Sequence, residues 1–208
     1  LYSCLSWFPS SDGKTEASFV LSSNGFHSDW WFGTGTATQR DLTRPDEGDV
    51  RDPWHRFSLY QLRAYARMFH DVGGPFRVLT GVGAQGNAVR VLDNTLLAQQ
   101  LDQGGHFVGV DGSVYATVEI GAQIDTRDAR LDPVHGGLLT GVAQGNIGQI
   151  DGFGAFGRLA ADLRGYLGSP RGEVVLGGEV AVQMNFGEVP FYELGVLAGF
   201  EAQPRVLT

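Results

Sequence analysis

The sequence predicts an all-β fold: an antiparallel transmembrane β-barrel with eight to ten strands visible, or one part of a larger barrel, as a single domain over 1–208. Three observations predict it. Apolar and polar residues alternate over many stretches, the mark of strands whose two faces meet different environments. Gly, Asn, Asp and Pro cluster between those stretches, and these residue types build turns. The chain carries 31 glycines and only 18% charged residues, against roughly 25% charged in a typical soluble domain. No apolar run reaches the roughly 18 residues of a membrane helix, but a membrane strand needs only about 9–11 residues.

Taken in order, residues 1–14 are aromatic, serine-rich and irregular. Cys4 is the single cysteine, so no internal disulfide forms. Leu1, Tyr2 and Ser3 before it loosely resemble the end of a lipoprotein signal, and an ordinary cysteine is the plainer reading. Residues 15–23 alternate as a first strand, with a turn at Asn24-Gly25. A second strand over 28–37 holds Trp30 and Trp31. The long polar loop 38–56 is a solvated, surface segment. Strands follow over 57–69, 76–90, 108–125, 137–147, 155–167, 174–186 and 190–199. Gly73-Gly74, Gly104-Gly105, the interval 146–151 and the interval 168–172 separate them, with Gly145-Asn146 and Asp151-Gly152 as hairpin turns. The stretch 91–102 reads as a few helical turns or as extended strand and loop.

Parity divides five of these strands cleanly. Over 108–125 one face is Val108, Val110, Gly112, Val114, Ala116, Val118, Ile120, Ala122 and Ile124; the other carries Asp111, Thr117, Glu119, Gln123 and Asp125. Arg63 and Arg67, then Arg77, then Arg158, Asp162 and Arg164, and finally Glu179 fall on the corresponding polar faces. Alternation alone does not say which face is inside. A soluble barrel turns the apolar face in and a membrane barrel turns it out. Charges of both signs, many small residues on the polar faces and aromatics near strand ends favour the membrane arrangement. On that reading Arg63, Arg67, Arg77, Asp111, Glu119, Arg158, Asp162, Arg164 and Glu179 are interior charges.

The hairpin around 119–137 carries a resemblance as well. Gly121, then Asp125, Thr126, Arg127 and Asp128, then Pro133 and Gly136 form a pattern similar to the barrel domain of the BamA/TamA-type outer-membrane proteins (the bacterial surface antigen family). The stretches 156–167 and 185–200 (NFGEVPFYELGVLAGF) agree with it in the same order. The resemblance covers about 105–200. It implies a bacterial outer-membrane location, lipid of that membrane as surroundings, other outer-membrane or periplasmic proteins as partners, and a role in assembling or translocating proteins or lipids without enzyme activity. Three other readings remain at this point: a reduced barrel that scaffolds a partner complex, an outer-membrane enzyme such as a lipase, for which no motif is present, and a soluble barrel for a small apolar ligand.

Other chemistry finds little support. A net charge of -8 lacks the basic footprint of a nucleic-acid partner. The five histidines (His27, His55, His70, His106, His135) are scattered, with no zinc-ligand spacing. Asp125, Asp128, Asp132 and Asp151 do not match a calcium loop. No catalytic group, metal or cofactor is expected. Arg127 is expected to pair with Asp125 or with a neighbouring strand, and Arg164-Gly165-Tyr166 reads as strand.

Overall fold

The computed structural model describes residues 2–9, 13–31, 54–169 and 174–194. Eight strands form one antiparallel sheet in the order of the chain. They are β1 (Tyr2–Pro9), β2 (Thr15–Trp30), β3 (Arg56–Gly73), β4 (Phe76–Arg90), β5 (Ser113–Asp125), β6 (His135–Ile150), β7 (Phe153–Gly168) and β8 (Val175–Gly187). One short helix, α1 (Leu96–Asp102), lies between β4 and β5, and Phe191–Glu193 make one 3-10 turn after β8. Among the described residues no pairing joins β1 to β8, so the sheet is open.

The sheet is nevertheless strongly curled. Arg130, in the turn after β5, meets Glu16 of β2 at 2.7 Å. Beyond β8, Glu193 is held at once by Gln85 of β4, Tyr115 of β5 and Arg158 of β7, and Arg67 of β3 reaches over β4 to Glu119 of β5. The polar face is the inner one. On β5 Glu119 is 5% exposed while its neighbour Val118 is 63% exposed. Phe19, Leu62, Val82, Ile120, Leu159, Leu163, Val180 and Met184 likewise stand exposed on the outer face, whereas Arg67, Gln85, Gln123, Thr140, Arg158 and Asp162 are buried.

Several local expectations are corrected. Tyr2–Pro9 is a strand, not an irregular lead. Asn24-Gly25 does not turn the chain: β2 runs through it with a register shift between Asn24 and His27, so 15–23 and 28–30 are one strand. Gly145-Asn146 sits inside β6 and faces Gly157 and Phe156 of β7. Of the two readings left for 91–102 the helical one holds over Leu96–Asp102, where the Thr95 hydroxyl accepts from the Ala98 N–H at 3.2 Å and caps the first turn. Residues 108–112 are turn, not strand: the Gly112 N–H bonds the Gly109 carbonyl at 3.0 Å and both glycines have positive φ. The 190–199 strand is replaced over Phe191–Glu193 by the 3-10 turn; 195–199, 32–37 and most of the 38–56 loop lie outside the described residues. The turns at Gly73-Gly74 and Asp151-Gly152 stand where expected.

The β5–β6 turn shows how sequence dictates geometry. The Thr126 N–H bonds the Gly137 carbonyl at 2.8 Å, and the Asp128 carboxylate accepts from the Val134 N–H at 2.9 Å. Gly136 has φ +96, and a Cβ there would meet the Thr126 carbonyl oxygen at 2.2 Å. Gly136→Val is therefore expected to destabilise the protein by about 1–3 kcal/mol, read as a lowered denaturant midpoint. Gly141→Ala serves as the control. Its Cβ would enter open space, so this change leaves the midpoint unchanged or raises it. Equal midpoints for Gly136→Val and the native protein would refute the strain argument.

Candidate functional site

The inner face is stacked in layers along the strands, and each layer has its own chemistry. At the end of the sheet bearing the 126–134 turn, Arg77 bonds Asp71 at 2.5 Å and also pairs with Glu16, which in turn pairs with Arg130. Asp125 takes the Arg127 guanidinium through both oxygens, at 2.9 and 2.8 Å. That bond, offset in part by burial, raises the affinity of Arg127 for its proton. A mixed-charge cavity of about 380 Å³ opens here, lined by Lys14, Asp71, Arg77, Asp125, Arg127 and Arg130 among others. Deeper in, Gln123 donates to Thr140 at 3.1 Å, and Arg164 reaches Asp162 at 2.9 Å and Glu179 at 3.1 Å.

Next comes an apolar layer in which Phe69, Leu79 and Val142 are buried together. Behind it lies the central pair. Arg67 grips Glu119 with two bonds, 2.8 and 3.0 Å, and Gln144 donates to the same carboxylate at 2.6 Å. Arg67 and Glu119 sit on β3 and β5, with Gly81 of β4 in register between them. A Cβ at Gly81 would stand 2.7 Å from the Tyr65 hydroxyl and 3.2 Å from Glu119, so glycine leaves the room this bridge needs. The Tyr65 ring fills the adjacent space over Gly83, its cross-strand partner, where a Cβ would come within 2.3 Å of it.

The last layer is built on Glu193, which follows β8 and folds under the sheet. Its Oε1 accepts from Tyr115 at 2.9 Å and from Gln85 at 3.0 Å, and its Oε2 from Arg158 at 2.6 Å. Arg63 donates to Gln85 at 2.7 Å and Arg158 to Asn185 at 3.0 Å. Tyr192 shares a 2.6 Å hydrogen bond with Ser113. Phe191 packs on Trp31 and Phe57, with ring centroids 5.1 and 5.0 Å apart, and Leu97 of α1 joins the same buried cluster.

Of the charges assigned to the interior by sequence, Arg63, Arg67, Arg77, Glu119, Arg158, Asp162 and Arg164 lie within this network. Asp111 does not: it is exposed in the turn before β5. Glu179 is on the inner side of β8 with its side chain 55% exposed. Asp125, Thr126, Arg127, Asp128, Pro133 and Gly136 all lie on the β5–β6 hairpin. Sequence reasoning missed Glu16, Tyr115 and Glu193. Glu193 falls in the 190–199 strand that the sequence predicts, and its inward turn depends on contacts with distant strands; Glu16 falls in the predicted 15–23 strand, outside the five that parity divides. Among the described residues no cluster of His, Cys, Asp and Glu could hold a metal ion. The interior offers packed ion pairs and hydrogen bonds, with most charges paired and Arg63 held by the neutral Gln85.

Arg67→Leu is expected to cost about 3–5 kcal/mol, because it strands a buried carboxylate, and a second change, Glu119→Leu, should recover part of that loss. Arg127→Leu breaks a more exposed pair and should cost about 1 kcal/mol or less. Unfolding midpoints of the three variants check the order. A harmless Arg67→Leu would show that the central pair does not hold the sheet.

No protein-family model, curated protein or solved structure matches this chain.

Proposed function

We propose that the protein is a β-barrel of the bacterial outer membrane, of the kind that assembles or translocates proteins or lipids there, with lipid around its outer face and no enzymatic activity of its own. The single observation that carries this reading is the inverted sheet: large apolar side chains point out and stay exposed, while charges are buried and paired. Water would penalise such an exterior, and monomeric soluble proteins rarely expose continuous apolar patches above a few hundred Å². A hydrocarbon surrounding removes the penalty.

Connection lengths support the same reading. Residues 74–75, 126–134 and 169–174 join strands at one end, and 31–55 and 91–112 join them at the other. Short periplasmic turns and longer outer loops are usual in such barrels, although the 151–152 turn at the second end is also short. The resemblance of the 119–137 hairpin adds the family expectation. The packed interior favours a scaffolding version of this role, an anchor for other outer-membrane or periplasmic proteins, over a diffusion pore.

Val118→Lys and Leu163→Lys provide the test. If lipid covers this face, each should weaken folding into liposomes by about 2–4 kcal/mol near mid-membrane. If water covers it, each should stay within about 0.5 kcal/mol. Fractionation with the outer membrane and a band that shifts on boiling are expected alongside. A soluble, heat-insensitive protein that tolerates both lysines would overturn the reading.

A further inference from the structure

The segment after β8 leaves the sheet edge and turns inward. The Glu188 N–H bonds the Ala155 carbonyl at 3.1 Å, and the Phe191 N–H bonds the Val108 carbonyl at 2.9 Å. Phe191, Tyr192 and Glu193 are then buried against β3, β4, β5, β7 and α1, as the contacts above describe. These three side chains occupy the loop end of the interior. Two of their attachments would survive any change of charge: the aromatic packing of Phe191 and the Tyr192–Ser113 hydrogen bond. The third depends on charge, because Glu193 is 4% exposed and all three groups on its oxygens are donors.

We propose that residues 188–194 form an acid-loosened stopper, whose seat in the loop end of the interior is firm only while Glu193 is a carboxylate. The seat is built for an anion. Arg158 of β7 donates a charged hydrogen bond, the hydroxyl of Tyr115 on β5 and the amide of Gln85 on β4 donate neutral ones, and Arg63 of β3 adds positive charge behind Gln85. From β8 the nearest group is the uncharged Asn185, whose amide donates to the Glu193 backbone carbonyl at 3.3 Å. On the stopper itself Tyr192, bonded to Ser113, and Glu188 are also titratable, and the Asp151 carboxylate of the β6–β7 turn, which accepts from the Gly109 N–H at 2.8 Å, lies close enough to Tyr192 to act on it. The carboxylates of β5 and β7 are engaged elsewhere, Glu119 by Arg67 and Asp162 by Arg164. A protonated Glu193 would lose its charge-assisted bond and leave Arg158 without a counter-charge at close range.

The direction of the effect follows from linkage. Burial alone would raise the proton affinity of Glu193, but the charge and hydrogen bond of Arg158, helped by Arg63 and Tyr115, outweigh it and hold the carboxyl below its ordinary value of 4.5. A depressed carboxylate contributes its full seating energy above pH 4.5 and loses it as pH falls below that value through the seated one. The inference does not depend on whether lipid or water covers the outer face, since every contact lies inside the sheet.

Hydrogen exchange of the folded protein at pH 7 and pH 3.5, corrected for the intrinsic rates, tests it. The Phe191 and Glu193 amides should lose protection by about tenfold for each pH unit between 4.5 and the lower, seated value, so up to about tenfold at pH 3.5, while β5 amides keep theirs. In Glu193→Gln these amides should already be poorly protected at pH 7 and show no further loss in acid. Glu193→Ala, in case glutamine still seats, should regain protection in millimolar formate, which can enter the vacated carboxylate position. Unchanged protection across pH in the native protein, or full protection in both variants at pH 7 without formate, would overturn the proposal. Failure of the lysine test above, with this exchange pattern intact, would remove the membrane reading and leave the stopper standing.

Discussion

A sheet that curls its polar face inward must give every enclosed charge a partner. Unpaired charges in a low-dielectric interior are costly, and breaking one buried pair can cost about 3–5 kcal/mol. The chain meets this constraint by spreading alternate signs over neighbouring strands. Arg67 of β3 answers Glu119 of β5, Arg77 of β4 answers Glu16 of β2, and Arg158 of β7 answers Glu193 beyond β8. Each pair bridges elements that are not adjacent in the sheet or not in it at all, so each also fixes curvature. The charge pattern that looks like surface polarity in a linear sequence is what holds the curled sheet in shape.

Glycine placement follows from the same constraint. An arginine can cross from β3 to β5 only if the intervening strand leaves its path open, and Gly81 does so. An aromatic ring can fold flat against the sheet only over a residue without a side chain. Tyr65 lies over Gly83 in this way, and on the outer face Phe186 lies over Gly157, where a Cβ would come within 2.1 Å of the ring. The high glycine content is thus tied to specific neighbours, in addition to its use in turns.

The two faces of β3, β4, β5, β7 and β8 were legible in the sequence, because a period of two is local and needs no knowledge of the fold. The sense of curvature was not carried by alternation itself, which is the same for a sheet rolled either way. It was suggested by mixed charges and small residues on one face, and the burial of Arg67, Glu119 and Arg158 agrees with that. What sequence reasoning missed was decided elsewhere in the chain. Asn24-Gly25 has turn chemistry, yet pairing of β2 with β3 on both sides of it carries the strand through. Gly145-Asn146 has the same chemistry, and there the Thr117 hydroxyl donates to Asn146 at 2.7 Å from within the ladder. Glu193 continues an alternating pattern, but the inward donors on β4, β5 and β7 draw it out of the sheet. In each case long-range hydrogen bonds outweighed a local propensity worth a few tenths of a kcal/mol to about 1 kcal/mol.

The two ends of the interior are closed by different chemistry. At the 126–134 end the closure is ionic and partly wet: Arg130 has a side chain 57% exposed, so its bond to Glu16 is screened and contributes little by itself. At the other end the closure is dry, with Phe191, Trp31, Phe57 and Leu97 buried together. Between them Phe69, Leu79 and Val142 pack together, with Gln183 of β8 in the same layer of the register. The described interior thus runs from an ionic ladder at one end, through the packing of Phe69, Leu79 and Val142, to an aromatic cluster at the other.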